Sequence, residues 1–172
     1  MQVRPARPED AAALAPKLRD ADRREIAATS GEGALEVLTR SIRTSRPCYA
    51  VVGDQAAPAG LFGVIPDRDQ DGVGSIWLLG SDELLHNRMF FLRNSRPWIA
   101  RLHEGYSVLW NYVDASNEVH LRWIAWCGFR FVRCIEKHGA GQCPFYEFES
   151  IPELEQQPTQ FHPDRLPGFE SG

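Results

Sequence analysis

Three strand-like apolar runs follow one another in the middle of this chain, with helical patterns on both sides. That order, more than any motif, limits the folds open to it. Cys48 to Gly53, Ala59 to Ile65 and Ser75 to Leu79 are short, apolar and bounded by turn residues, which is how strands read. Asp54-Gln55-Ala56-Ala57-Pro58 joins the first two as a hairpin, and Asp67-Arg68-Asp69-Gln70-Asp71-Gly72 makes an acidic turn. Before them, Val3 to Ala6 forms a short strand. Pro8-Glu9-Asp10 starts a helix, because Pro suits a first turn and acids there oppose the positive end of the dipole. Ala13, Leu14, Leu18 and Ala21 keep its period up to Ser30-Gly31. Leu35, Leu38 and Ile42 predict a second helix over 32–44, with all three on its inner face. After the strands, Leu84 to Leu92 reads as a helix, and Ser95-Arg96-Pro97 opens another. Ser107 to Val113 is a strand. Asn117 then caps a helix whose buried stripe is Val119, Trp123, Ile124 and Cys127, and Gly128 stops it. Phe129 to Ile135 and Cys143 to Glu149 are two final strands. The sum is an α/β domain over residues 1–150, built on one mixed sheet.

Composition agrees with that reading. The chain has 172 residues, 43% apolar and 24% charged, the balance of one soluble globular domain. A net charge of −4 excludes a globally basic nucleic-acid binder. Seventeen of the 19 basic residues are Arg. The planar fork of Arg suits fixed pairs and anion contacts, although a GC-rich coding bias produces the same count. No apolar stretch reaches the roughly 18 residues a membrane helix needs, and no signal-peptide apolar region follows Met1. Four scattered cysteines make no disulfide framework, so a reducing, cytoplasmic site of synthesis is expected. From Ile151 to Gly172 the chain turns polar and Pro-rich and reads as an extended arm. Phe161, Leu166 and Phe169 on that arm suit a partner's groove.

The order of elements resembles the GNAT fold of the acyl-CoA N-acyltransferases. Val3-Arg4-Pro5-Ala6-Arg7-Pro8-Glu9-Asp10 looks like the family's first strand and helix start, and Asn117-Glu118-Val119-His120 followed by Gly128-Phe129 looks like its fourth-helix motif. The resemblance implies a mixed central sheet flanked by helices. It also implies that acetyl-CoA, if bound, lies near Leu79, Gly80, Ser81 and Asn117. Two departures from the family pattern stand out. The family's glycine-rich loop, whose bare amides cradle the CoA diphosphate, is replaced by Gly80-Ser81-Asp82-Glu83-Leu84-Leu85-His86. Two carboxylates stand where phosphates would sit, and like charges repel. The position of the usual tyrosine acid is Ile124, which has no proton to give. Trp or Phe side chains filling the cleft would exclude CoA.

A narrower resemblance is carried by Trp77-Leu78-Leu79-Gly80-Ser81-Asp82, by Arg93-x-Ser95-Arg96-Pro97-Trp98-Ile99, and by Asn111-x-Val113-Asp114-Ala115-x-Asn117-x-x-His120-x-Arg122-Trp123. These resemble GNAT-like proteins of short-tailed bacteriophages, a family named for an internal virion protein. That resemblance implies a virion-associated or assembly protein that binds other virion or assembly proteins, without acetyl transfer and without a cofactor. A host protein is a further possible partner. The implied location is the host cytoplasm during synthesis and then the virion, with no membrane partner and nucleic acid disfavoured.

The alternative is an acetyl-CoA-dependent N-acetyltransferase acting on an amine. In that case Asp114 or His120 handles protons, since the imidazole titrates near working pH. The bland reading of the same segment is an Asn117 cap with a hydrogen-bonded His120 in the first turn. Arg88, Arg93, Arg96 and Arg101 form a basic stretch among Phe90, Phe91 and Trp98. This stretch is either a contact surface for an acidic or phosphate partner or the solvated outer face of a core helix. No metal site is expected. Cys127, Cys134, His138 and Cys143 lack a close Cys-x-x-Cys pair.

Overall fold

The computed structural model describes residues 1–53 and 57–152; the C-terminal arm beyond Pro152, with Phe161 and Phe169, lies outside the described residues. Strand β1 (Gln2–Pro5) is followed by α1 (Pro8–Leu14), a 3-10 turn (Ala15–Lys17), α2 (Asp20–Thr29) and α3 (Ala34–Thr44). Three strands come next: β2 (Cys48–Val52), β3 (Pro58–Pro66) and β4 (Val73–Gly80). Then come α4 (Asp82–His86), α5 (Arg88–His103), β5 (Val108–Asp114), α6 (Glu118–Trp126), β6 (Arg130–His138) and β7 (Cys143–Ser150). The seven strands form one sheet in the order β1-β2-β3-β4-β5-β7-β6. All neighbours are antiparallel except β4 and β5. The expected mixed sheet between helices is present.

Each face of the sheet has its own core. On one face, Leu14, Leu18, Ile26 and Leu38 from α1 to α3 pack on Ala50 and Leu61. On the other, Ile99 and Leu102 of α5 and Leu121 and Ile124 of α6 pack with Val64, Leu109 and Val113.

The structure corrects four expectations. The first helical stretch is not one helix, because Leu18 leaves the helical region (φ −56°, ψ 141°) and bridges Ser81. The predicted break near Pro97 is absent, and α5 runs through it. Pro97 has no amide to give the Arg93 carbonyl, yet the helix continues; Asn94 Nδ2 and Ser95 Oγ donate to the Phe90 and Phe91 carbonyls in the turn before it, at 2.7 and 2.6 Å. Leu35 is 49% exposed, since the inner face of α3 is set by Ala34, Leu38 and Ser41. Val119 is 61% exposed and lies nearly opposite buried Leu121 on α6.

Two contacts fix α2, and both matter for the site. The turn between β6 and β7 docks on its end, where Gly141 N–H and Ala140 N–H donate to the Ala28 and Thr29 carbonyls at 2.7 and 3.1 Å. Gly139, at φ 62°, lies so close that a Cβ would come within 2.5 Å of the Ala28 oxygen, so only glycine fits. At the other end, buried Asp22 accepts from Arg19 Nη2 at 2.6 Å and from Gly80 N–H at 2.8 Å. This joins α2 to the last residue of β4. Truncating one partner of a buried, hydrogen-bonded charge pair costs roughly 3 to 5 kcal/mol. Asp22→Ala is therefore expected to lose stability on that scale in urea unfolding. Asp20→Ala, whose side chain is 90% exposed, should change it by less than about 0.5 kcal/mol.

Candidate functional site

The site begins where the sheet comes apart. Parallel pairing of β4 and β5 covers only Val73, Gly74 and Ser75 against Val108, Leu109 and Trp110. Beyond these the strands diverge. The β3 register, with Ser81 N–H on the Ala59 carbonyl, turns the Ile76, Leu78 and Gly80 peptides toward the gap. The Ile76 carbonyl is met by Asn111 Nδ2 at 2.6 Å, and Asn111 Oδ1 takes Tyr112 N–H at 2.7 Å. One asparagine thus seals the base of the opening. Higher up, the Leu78 peptide faces the gap with no partner strand beside it.

A cavity of about 330 Å³ runs through this gap and under α5. Phe90, Phe91, Trp98 and Trp123 line it without filling it, so no aromatic side chain among the described residues blocks the cleft. Trp123 is held by its Nε1–H to Ser95 Oγ at 3.1 Å and by stacking on Phe91 at 5.1 Å. His120 stacks on the same indole at 5.4 Å.

Polar chemistry gathers at one end. Glu25 of α2 and His120 of α6 both line the cavity. Their side chains are only 18% and 16% exposed, with Glu25 Oε2 4.0 Å from His120 Nδ1. Asn117 Nδ2 reaches the same carboxyl oxygen at 3.5 Å, the outer limit of a hydrogen bond. His120 Nδ1 is buried with no hydrogen-bond partner among the described residues. Burial pushes the Glu25 carboxyl up to about 7, helped by the negative charges of Asp22 and Asp114. Burial holds the His120 imidazole down at about 4, with the Arg19 guanidinium adding to it.

The residues singled out from sequence fall in different places. Leu79 lines the cavity. The Gly80 amide is spent on Asp22, and both Ser81 N–H and Ser81 Oγ are spent on the Ala59 carbonyl. Asn117 caps α6 by accepting from His120 N–H at 3.3 Å, as expected, but the His120 ring is not hydrogen-bonded as the capping reading assumed. Asp114 Oδ1 takes Ser116 N–H and Oγ in the turn before α6, at 2.8 and 2.7 Å. Arg88 and Arg93 are exposed on α5. Arg96 is occupied, with Nε on the Trp126 carbonyl at 2.9 Å and its guanidinium over that indole at 4.6 Å. Sequence reasoning missed Glu25. The signal for it was Asp22 and Glu25 three apart on a helix whose same face carries Ile26.

Solved structures share this arrangement of sheet and helices. The ribosomal-protein-S5-alanine acetyltransferase of Vibrio fischeri superposes with a TM-score of 0.65 at 15% identity, over 91% of this chain and 95% of that one. A ribosomal-protein-alanine N-acetyltransferase of Brucella melitensis gives 0.63 at 18% identity, over 88% and 99%. A GCN5-related N-acetyltransferase of Kribbella flavida gives 0.63 at 19% identity, over 87% and 96%. This is the GNAT acetyltransferase fold. No protein-family model and no curated protein matches the chain.

The GNAT fold implies an acyl-CoA donor, and the residues present fit one half of it. The open gap, with the Leu78 peptide unpaired, suits a slender amide-bearing arm. The loop after β4 does not suit a diphosphate. Its Gly80, Ser81 and Leu84 amides are already bonded, and the two that remain, of Asp82 and Glu83, belong to residues whose own carboxylates are exposed there.

Glu25 and His120 push the pH dependence of stability in opposite directions. A carboxyl raised from 4.5 to about 7 gives the native state an extra proton, so its contribution falls as pH rises through that window. An imidazole lowered from 6.5 to about 4 costs stability as pH falls through its own window. Glu25→Gln removes only the first. Its stability relative to wild type should therefore rise by about 2 to 3 kcal/mol from pH 5 to pH 8. Parallel unfolding curves across that range would contradict the assignment.

Proposed function

We propose that this protein is an N-acyltransferase that takes its acyl group from a pantetheine thioester lodged between β4 and β5. What supports this reading is the place of the Glu25 carboxyl, beside Asn117 and His120 on an open, mostly apolar cleft, where burial pushes it up to about 7. In the step proposed, an amine nitrogen attacks the thioester carbon and the C–S bond breaks as the new C–N bond forms. Glu25, as carboxylate, takes the proton from nitrogen and returns it to the departing thiolate. A group titrating near 7 can do both, because the proton it accepts from the amine is acidic enough to give to a thiolate. It replaces the tyrosine acid that Ile124 cannot supply. The Leu78 amide offers a hydrogen bond to the arm or to the developing oxyanion. His120, neutral at working pH, keeps its Nδ1 beside the Glu25 carboxyl, at 4.0 Å from Oε2.

The test follows thiol release from S-acetylpantetheine with simple primary amines, namely spermidine and Nα-acetyl-lysine. Wild type should turn over, with kcat/KM rising through about pH 7 to a plateau. Glu25→Gln should lose roughly 10²- to 10⁴-fold in kcat and lose that inflection. A Glu25→Gln variant with wild-type kcat would end this reading.

A second reading draws on the spent amides after β4. A cleft whose diphosphate loop has its Gly80 and Ser81 amides bonded is also suited to holding a partner without any transfer. With the resemblance to short-tailed phage proteins, this is a virion or assembly role. Co-purification with mature particles, together with no thiol release, would favour it.

A further inference from the structure

The loop between β4 and α4 has its own consequence for which thioester the cleft takes. An intact cradle needs free amides pointing at the phosphates. Here Gly80 N–H donates to Asp22 at 2.8 Å, and Ser81 N–H donates to the Ala59 carbonyl at 2.8 Å. Both bonds are buried, and Asp22 is itself locked by Arg19 at 2.6 Å. Freeing the Gly80 amide would mean breaking the contact that joins α2 to the sheet. Asp82 and Glu83 then add two exposed carboxylates in the same turn. Glu83 lies over the backbone of Gly53, where even a Cβ would collide with its carboxyl. Asp82 lies near enough to Asp22 to act on its titration. These carboxylates oppose a phosphate charge in the turn after β4, with His86 and Arg88 following them at the end of α4 and the start of α5.

We infer that the donor is recognised through its acyl group and pantetheine arm alone, and that Asp22, Asp82 and Glu83 make the site indifferent or hostile to the nucleotide diphosphate of CoA. Asp22 acts as a positioning residue here, by keeping the Gly80 amide occupied. Asp82 and Glu83 act at a distance, by charge. This inference rests on the acyl-transfer reading and narrows its substrate class to thioesters of pantetheine lacking a diphosphate.

The experiment compares S-acetylpantetheine with acetyl-CoA on the full chain, using spermidine as acceptor. An intact diphosphate cradle of two charge-assisted bonds is worth roughly 100-fold in kcat/KM. We expect no such preference, and a kcat/KM for S-acetylpantetheine equal to or above that for acetyl-CoA. The double variant Asp82→Asn/Glu83→Gln leaves the cleft lining intact. It should raise kcat/KM for acetyl-CoA by roughly 3- to 10-fold and leave S-acetylpantetheine unchanged. Added salt should do the same in the wild type by screening. A preference for acetyl-CoA of about 100-fold, or a double variant that loses acetyl-CoA turnover, would overturn the inference and leave acyl transfer standing. Turnover of neither donor would instead defeat the acyl-transfer reading itself.

Discussion

Two parallel strands that share only three residue pairs set the conditions for the rest of this molecule. Where β4 and β5 part after Ser75 and Trp110, each gives up ladder hydrogen bonds that a continuous sheet would have made. Buried peptide groups do not stay unpaired without cost, and the fold answers this one residue at a time. Asn111 closes the base of the gap with its side-chain amide. Asp22 and Arg19 N–H close the top at Gly80. Leu78 between them is left facing an apolar cavity. A gap kept open at that cost is the strongest structural sign that something is meant to enter it.

The electrostatics of the cleft follow from which helices meet above it. α2 is held by the β6–β7 turn at one end and by Gly80 at the other. That leaves the Glu25 side chain only 18% exposed and places it beside the first turn of α6. Burial, together with the neighbouring charges of Asp22 and Asp114, then lifts its carboxyl into the neutral range. His120 is stacked on Trp123 and buried in turn, and stays uncharged. The structural contact at Asp22 and the chemical group at Glu25 are one helical turn apart on the same element. The same packing of α2 occupies the Gly80 amide and places the Glu25 carboxyl on the cleft.

Much of the architecture was legible because it is written in local periodicity. The three central strands, the α6 cap at Asn117 and the departure of the loop at Gly80 all came from neighbouring residues. What could not be read there depended on partners distant in sequence. Pro97 breaks no helix although it leaves the Arg93 carbonyl without its helical donor, because Ile99 and Leu102 beyond it are held in the core, which local propensity does not encode. Leu35 and Val119 are apolar but face outward, since the core side of a helix is decided by the whole set of packed residues. Glu25 drew no attention because an acid on an early helix looks like solvated surface. Only the fold brings it to His120 and Asn117, more than ninety residues later. The acids at Asp82 and Glu83 were recognised as unsuited to phosphates, but the deeper reason, an amide already taken by Asp22, needs the tertiary contact to be seen.

The most direct measurement is the backbone amide spectrum during titration with a non-reactive ketone analogue of S-acetylpantetheine. The account requires the Leu78 amide to shift with saturation while the Gly80 amide, held by Asp22, stays in place. An unmoved Leu78 amide, or a Gly80 amide that shifts instead, would contradict it.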